Sequence, residues 1–242
     1  NIPKGPRLRC RESGSTLRFL LPVAAALGAD AEFEMSARLP DRPIYPLDRE
    51  MEKHGCTILR PEHDIIKCCG KMSGGEYSVE ADVSSQFISG ILLAMPILGG
   101  GTVRMVGNVE SSGYIDLTTD SLTNFGIEVE KNEEYITARG KYLSPGKIDV
   151  EGDWSNAAFW LCAGALTEGG IECGGLNMSS RQGDRKILEI LKDMGAHIKI
   201  QGDKVKVSRG HLRSVNLDAS DITDLIPVIA ATASVAEGTT KI

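Results

Sequence analysis

The chain has 242 residues, a formal net charge of −6, and 41% hydrophobic and 25% charged residues, which is typical of a soluble globular protein. Its 33 acidic residues outnumber its 27 basic ones, which argues against a nucleic-acid partner because such proteins usually present a basic face. No apolar run reaches the ~20 residues that span a bilayer, and no cationic segment precedes an apolar one. The sequence therefore predicts neither a membrane partner nor secretion, but a cytoplasmic protein.

The predicted elements repeat along the chain. Apolar, Ala- and Leu-rich helices begin at small polar residues, and amphipathic helices end at glycines that favour a positive φ. Buried helices are predicted at 12–28, 82–100, 152–170 and 218–238, and the strands that follow the first three at 31–37, 101–107 and 169–175. Amphipathic helices are predicted within 46–59, 115–130 and 184–200, and they end at Gly55, Gly126 and Gly195.

A β-hairpin pattern follows each amphipathic helix, for example at 197–208, where Gly202 and Asp203 form the predicted turn. The repeating unit is thus β-α-β-α-β-β, about 70 residues long by the spacing of equivalent serines such as Ser13 and Ser84. We expect two domains, 1–150 and 151–242, with a hinge near 150–153. The sequence ends in mid-strand by this pattern, so we also expect a fragment of a longer protein.

Two predicted helix starts carry residues suited to an anion. The first is Glu12 to Arg18, where Gly14 and neighbouring hydroxyls expose backbone N–H groups at the positive end of the helix dipole. The second is Asp82 to Gln86, where Ser84 and Ser85 could hold a phosphate together with Gln86. The alternative for each is an ordinary N-cap with no ligand.

Three further segments are candidates for binding or catalysis. In 41–43, a proline at the first position of a helix would hold Arg42 rigidly, and an arginine fork suits carboxylate or phosphate; a solvated loop arginine is the alternative. The segment 111–114 opens a helix with Ser111 and ends at Tyr114. In the last buried helix, Asp221 is a predicted cap, and Asp224 is an acid in an apolar run, expensive to bury without a partner or a task; a second acid that only stabilises the helix dipole is the alternative.

These motifs, taken together, resemble the 3-phosphoshikimate 1-carboxyvinyltransferase (EPSP synthase) family of enolpyruvyl transferases. The resemblance spans essentially the whole chain. It rests on LRCRESGSTLRFL (8–20), ARLPDRPIYPLDREM (37–51), Ser84-Ser85-Gln86, Ser111 to Tyr114, Gln182-Gly183-Asp184 and Asp224, in that order. It implies an inside-out α/β barrel built from βαβαββ units in two domains, with the active site in the cleft between them.

The resemblance also implies an activity and a set of site residues. The implied reaction transfers the enolpyruvyl group of phosphoenolpyruvate to the 5-hydroxyl of shikimate 3-phosphate, a step of aromatic amino-acid biosynthesis. The implied enzyme is a monomer that needs neither a metal nor a cofactor and is inhibited by glyphosate. Shikimate 3-phosphate would contact Ser84, Ser85, Gln86, Ser111, Tyr114 and Asp224; phosphoenolpyruvate would contact Gly14, Arg42 and Gln86. Asp224 would be the catalytic base.

The chain departs from the family pattern at Glu12, where a neutral residue such as Asn is expected, and it lacks the terminal Lys and Arg motifs. The two anionic substrates need those cations, so we expect the chain alone to be inactive. The nearest alternative is UDP-N-acetylglucosamine 1-carboxyvinyltransferase, whose loop with a reactive cysteine is not found here. The other alternative is a non-catalytic module that binds a phosphate-containing ligand.

The cysteines and histidines lack the spacing of a metal site, and no C-x-x-C pair occurs. We therefore expect no metal ion and free thiols at all six cysteines, namely Cys10, Cys56, Cys68, Cys69, Cys162 and Cys173.

Overall fold

The computed structural model describes residues 4–80, 82–107 and 112–242. The chain forms two compact units, 1–147 and 148–242, each with its own hydrophobic core. The predicted hinge at 150–153 lies just after the start of the second unit and stays a prediction.

The first repeat forms a four-stranded sheet with two helices. Its elements are β1 (Arg7–Arg11), α1 (Gly14–Leu27), β2 (Glu32–Met35), α2 (Leu47–Lys53), β3 (Thr57–Glu62) and β4 (Ile65–Cys69). The strand order is β1-β2-β4-β3. β1 and β2 are parallel, and β4 pairs antiparallel with both β2 and β3. A parallel pair requires a crossover, which α1 provides.

The second repeat has the same topology, which confirms the predicted βαβαββ unit. Its elements are β5 (Gly75–Glu80), α3 (Ser85–Ala94), β6 (Gly101–Val106), α4 (Ser112–Asn124), β7 (Glu128–Lys131) and β8 (Tyr135–Arg139). The strand order is β5-β6-β8-β7, with β5 and β6 parallel. A 3-10 turn at Met95–Leu98 extends α3 towards the predicted helix end at 100.

The two apolar helices of the first unit, α1 and α3, pack against each other, and α3 also packs against α4. Both begin at the predicted caps: Ser13 Oγ accepts from Thr16 N at 3.2 Å, and Ser84 Oγ accepts from Gln86 N at 3.3 Å. α1 ends where Gly28 adopts a φ of 65°, a conformation that a residue with a β-carbon rarely adopts. The caps therefore place both helix starts as the sequence predicts.

The second unit contains α5 (Trp154–Ala165), β9 (Ile171–Cys173), α6 (Ile187–Asp193), β10 (His197–Gln201), β11 (Lys204–Ser208) and α7 (Ile226–Ala233). Its sheet has the order β10-β11-β9. α5 packs on β9, β11 and α7. Residues 140–153 contain no strand ahead of α5, so the third repeat has one strand fewer than the first two. The strand predicted at the end of the sequence is present only as two isolated bridges, Arg213 to Glu237 and Asn216 to Lys241.

Two predicted helix starts are wrong. Asp221 does not cap the last buried helix: a 3-10 turn, Thr223–Leu225, precedes α7, and no side chain caps it. Asp221 instead lies 3.8 Å from Lys186, measured from Oδ2 to Nζ. Pro43 is not the first residue of a helix either. It follows the 3-10 turn Leu39–Asp41, and α2 begins only at Leu47.

All six cysteines are free thiols, as predicted. Burial raises the pKa of the Cys10 thiol to about 11, which keeps it protonated at neutral pH. No described helix is both long enough and apolar enough to cross a membrane.

Candidate functional site

Three segments of the first unit converge at the start of α1. A β-carbon placed on Gly14 would lie 3.5 Å from Arg18 Nη1, 3.6 Å from Arg42 Nη1 and 3.7 Å from Gln86 Oε1. The residues come from α1, from the loop after Leu39–Asp41 and from the first turn of α3. The structure thus brings together all three residues predicted for phosphoenolpyruvate, Gly14, Arg42 and Gln86, and adds Arg18.

Arg18 is the most enclosed cation of this group. Its Nη1 donates to Gln86 Oε1 at 2.8 Å, its Nη2 donates to the Pro43 carbonyl at 3.3 Å, and its Cζ lies 5.2 Å from the centre of the Phe87 ring. Burial lowers the pKa of Arg18, and the positive charge of Arg42 lowers it further. The two guanidiniums are therefore close enough to repel each other, and an anion beside them would relieve that repulsion.

Arg42 is solvent-exposed and has an extended backbone, with a φ of −77° and a ψ of 136°. Its exposure leaves the planar fork accessible to a ligand, which suits bidentate binding of a carboxylate or phosphate. The sequence predicted that a helix start at Pro43 would hold Arg42, but no helix begins there. The Pro43 carbonyl instead accepts a hydrogen bond from Arg18.

The Ser84-Ser85-Gln86 motif begins α3 as predicted. Ser84 is the N-cap, Ser85 is buried and Gln86 is half-buried. A helix start offers backbone N–H groups and a positive dipole end to an anion. Together with the two guanidiniums, this end of the first unit is suited to an anionic ligand.

Ser111 and Tyr114 are the two remaining predicted site residues of this unit. Ser111 lies outside the described residues. Tyr114 lies in the first turn of α4 and is 44% exposed, and its carbonyl accepts a hydrogen bond from Thr118 Oγ1 at 2.9 Å. Because α4 packs against α3, Tyr114 lies on a helix neighbouring the Ser84 motif.

In the second unit, Asp224 lies in the 3-10 turn before α7 and is exposed. The prediction of an acid one turn inside an apolar helix is therefore wrong, because the chain forms its regular α-helix only from Ile226 onwards. Another acid of the second unit, Asp184, is buried and accepts a hydrogen bond from the Ser155 hydroxyl.

Burial raises the pKa of Asp184. The Ser155 hydrogen bond opposes that rise, whereas the negative charges of Asp224 and Asp153 add to it. Asp224 and Asp153 therefore lie close enough to Asp184 for their charges to act on it. Sequence reasoning assigned no role to this buried carboxylate, although the Gln182-Gly183-Asp184 motif was visible as a signal.

Sequence reasoning also missed a hydrogen-bonded carboxylate at Glu151. Its oxygens accept from Asn177 Nδ2 at 2.7 Å, from Ser180 Oγ at 2.5 Å and from Gln182 Nε2 at 2.8 Å. Gln182 Oε1 in turn accepts from Trp154 N at 2.8 Å. This network ties the start of α5 to the loop before α6.

Across the described residues, no group of three or more His, Cys, Asp or Glu side chains is placed to hold a metal ion.

A model of the EPSP synthase (3-phosphoshikimate 1-carboxyvinyltransferase) family matches residues 1–242. The chain belongs to this family. One family member, 3-phosphoshikimate 1-carboxyvinyltransferase of Clostridium kluyveri, is 40% identical over 99% of this chain and 57% of its own length. The protein of the same name from Clostridium acetobutylicum is 39% identical over 96% of this chain and 55% of its own length. The names of these relatives do not favour the alternative activity, that of UDP-N-acetylglucosamine 1-carboxyvinyltransferase.

Solved structures of enolpyruvyl transferases share the fold. EPSP synthase from Acinetobacter baumannii superposes with a TM-score of 0.73 at 25% identity, covering 98% of this chain and 56% of that one. An enolpyruvyl transferase from Streptomyces tendae gives a TM-score of 0.66 at 18% identity, over 92% of this chain and 55% of that one. The predicted α/β fold of the enolpyruvyl transferases is thus confirmed. The chain spans slightly more than half the length of these relatives.

Proposed function

We propose that this chain, as part of a complete enzyme, transfers the enolpyruvyl group of phosphoenolpyruvate to shikimate 3-phosphate. The 5-hydroxyl of shikimate 3-phosphate attacks C2 of phosphoenolpyruvate while C3 gains a proton. The tetrahedral intermediate then loses phosphate from C2 and a proton from C3, which restores the carbon–carbon double bond and leaves 5-enolpyruvylshikimate 3-phosphate. No metal or cofactor takes part in these steps. The observation that carries the proposal is the convergence of Gly14, Arg42 and Gln86, with Arg18 beside them, at one point.

In this proposal the first unit binds the anions. Gly14, Arg42 and Gln86 contact phosphoenolpyruvate, whose carboxylate or phosphate matches the planar fork of Arg42. The phosphate of shikimate 3-phosphate is held at the start of α3, whose N–H groups and hydroxyls suit it. The residues assigned to shikimate 3-phosphate are Ser84, Ser85, Ser111, Gln86 and Tyr114, together with Asp224.

Asp224 is proposed as the general base that accepts the proton of the 5-hydroxyl. A positioned base typically contributes about 10²–10⁴ in rate. Its solvent exposure in the second unit leaves the carboxylate accessible to a substrate hydroxyl.

We expect the 242-residue chain alone to bind shikimate 3-phosphate weakly and to turn over no substrate. Two anionic substrates in one site repel by several kcal/mol at an effective dielectric of about 20. Exposed helix ends offset only about 0.3–1 kcal/mol of this repulsion each. The rest would fall to Arg18 and Arg42, and two cations are too few to stabilise both anions and the transition state. We further propose that the complete enzyme is a cytoplasmic monomer and that glyphosate competes at the phosphoenolpyruvate site.

The test uses a full-length family member in which this chain replaces the corresponding segment, here called the full-length chimera. Replacing both Ser84 and Ser85 by Ala should weaken shikimate 3-phosphate binding at least tenfold in calorimetry, because a hydrogen bond to a charged group contributes about 1.5–3 kcal/mol. Ser84→Asn separates binding from folding, since Asn keeps the helix cap but removes the hydroxyl.

Ser121→Ala, on the exposed face of α4, is the matched control and should leave the dissociation constant unchanged. An unchanged constant in the double variant would refute the phosphate assignment. Binding of both substrates by the unmodified chimera without release of phosphate would instead indicate the non-catalytic module.

A further inference from the structure

Arg18 connects three segments of the first unit through one guanidinium. It belongs to α1, Nη1 donates to Gln86 on α3, and Nη2 donates to the backbone of Pro43, the residue after Arg42. Arg18 is therefore hydrogen-bonded to one residue assigned to phosphoenolpyruvate, Gln86, and to the chain neighbour of another, Arg42.

The hydrogen bond to Gln86 fixes which way its amide faces. A guanidinium has only donors, so the atom it meets must be the carbonyl oxygen Oε1. The amide nitrogen Nε2 then lies on the other branch of the side chain, turned away from Arg18. Gln86 is thereby prepared as a donor, which is the role an anionic ligand requires.

The hydrogen bond to Pro43 acts on the loop that carries Arg42. Arg42 itself is exposed and follows a short 3-10 turn, so its own side chain gives the loop little anchorage. The contact between Arg18 Nη2 and the Pro43 carbonyl, at 3.3 Å, fixes the backbone one residue beyond it.

Keeping a cation at this position is unfavourable for the fold. The Arg18 Nε is buried and has no hydrogen-bond partner among the residues that the structure describes. Partial burial and the charge of Arg42 both disfavour its ionised form, and stacking over Phe87 offsets this only in part. Burying this cation therefore disfavours folding, so stability alone does not explain why an arginine occupies the position. The groups that its guanidinium holds in place do explain it.

We propose that Arg18 is a positioning residue of the phosphoenolpyruvate site, which turns the amide of Gln86 and fixes the loop carrying Arg42. The role rests on the proposed function, since it presupposes that Gln86 and Arg42 bind phosphoenolpyruvate. Arg18 itself need not touch the ligand.

The first measurement needs no ligand. In the ¹⁵N-labelled 242-residue chain, the side-chain NH₂ signal of Gln86 is assigned by its loss in Gln86→Glu. Arg18→Lys keeps the charge and the aliphatic stem but loses the fork, and it should shift that signal. Arg9→Lys, a control at an exposed arginine of β1, should not. An unshifted Gln86 signal in folded Arg18→Lys would refute the positioning role.

The second measurement is a double-mutant cycle with phosphoenolpyruvate, followed by NMR titration of the same chain. Arg18→Lys and Gln86→Leu should each weaken binding about tenfold, and Arg18→Lys should have a clearly smaller effect once Gln86 has been replaced. Equal effects in both backgrounds would show that Arg18 acts independently of Gln86 and would overturn the proposal. Unchanged affinity in Arg18→Lys would show that only its charge matters, with the same consequence.

The two measurements separate this inference from the function on which it rests. If the unmodified chain does not respond to phosphoenolpyruvate, the assignment of its binding site fails. The Gln86 signal in the ligand-free chain still decides whether Arg18 orients that amide.

Discussion

Gly90 of α3 lies directly against the carbonyl oxygen of Arg18 in α1, since a β-carbon at position 90 would overlap that oxygen and approach Pro22 Cγ to 3.2 Å. Pro22 has no N–H to donate to this carbonyl four residues before it. The backbones of the two apolar helices can therefore meet where α1 has a proline and α3 has a glycine. The same contact sets the separation of the helix starts that carry Gly14 and Ser84.

Gly90→Ala should destabilise the first unit, because its methyl group meets backbone that cannot move aside. Overpacking of this kind costs about 1–3 kcal/mol, measurable as a lower urea midpoint with an unchanged slope. Gly169→Ala is the matched control, since its β-carbon would have nothing within 4 Å. A loss below about 0.5 kcal/mol, as for ordinary surface changes, would mean that the helices can separate freely.

Gly14→Ala should leave the fold intact and impair phosphoenolpyruvate binding. The added methyl would make ordinary contacts of 3.5–3.7 Å with Arg18, Arg42 and Gln86, and Ala favours a helix over Gly. It would nevertheless occupy the point where these side chains converge. In the full-length chimera we expect at least about tenfold weaker phosphoenolpyruvate binding with an unchanged thermal midpoint. Equal affinity for phosphoenolpyruvate would place the ligand elsewhere.

Arg42→Lys should harm phosphoenolpyruvate use more than shikimate 3-phosphate binding, because lysine lacks the planar fork that makes two parallel bonds. Steady-state kinetics of the full-length chimera, with each substrate varied in turn, measures the difference. Arg38→Lys, at another exposed arginine close by, should change neither Michaelis constant. Equal changes in both constants for Arg42→Lys would contradict its assignment.

Asp224→Ala in the full-length chimera should collapse turnover by about 10²–10⁴-fold and leave the fold intact. Asp224 is exposed in a 3-10 turn, so its removal costs the helix end only about 0.3–1 kcal/mol. Asp221→Asn tests a neighbouring exposed acid that pairs with Lys186, and it should retain activity. Near-normal turnover of Asp224→Ala would exclude it as the base.

Stability of the second unit should fall at acidic pH because of Glu151. Burial alone would raise the pKa of Glu151, but hydrogen bonds from Ser180, Gln182 and Asn177 lower it below its ordinary value of 4.5. The unfolded chain then binds the proton more readily, so stability is fully present above the unfolded pKa and is lost as pH falls through the lower folded one.

Urea unfolding between pH 3 and 6 measures this loss as a slope of the unfolding free energy against pH. Glu151→Gln should reduce the slope, and Glu172→Gln, at an exposed residue of β9, should leave it unchanged. An identical slope in Glu151→Gln would assign the acid sensitivity to other carboxyl groups.

Local patterns in the sequence predicted the repeat, the helix caps at Ser13 and Ser84 and the hairpins, because caps, turns and periodicity depend on neighbouring residues. Local patterns wrongly predicted helix starts at Pro43 and Asp221, because a proline or an acid suits a loop as well as a helix start. At these positions tertiary contacts decide whether a loop or a helix forms.

The hydrogen bond between Arg18 and Gln86 has no such local signal, because its partners are 68 positions apart in sequence. Gly14, Arg42 and Gln86 were assigned to one ligand through the family resemblance. The guanidinium that joins their segments becomes visible only when α1 and α3 are packed together.

The duplicated topology of the first unit also bears on the order of its folding. Each four-stranded sheet closes within its own repeat, at residues 7–69 and 75–139, so each can form from contacts that are close in sequence. The hydrogen bond from Arg18 to Gln86 joins the two repeats, so it forms only when they dock. We expect this docking to be slower than the formation of each sheet, since contacts between residues far apart in sequence close longer loops. We therefore expect competence to bind phosphoenolpyruvate to emerge in the last kinetic phase of refolding, after most of the β-structure has formed.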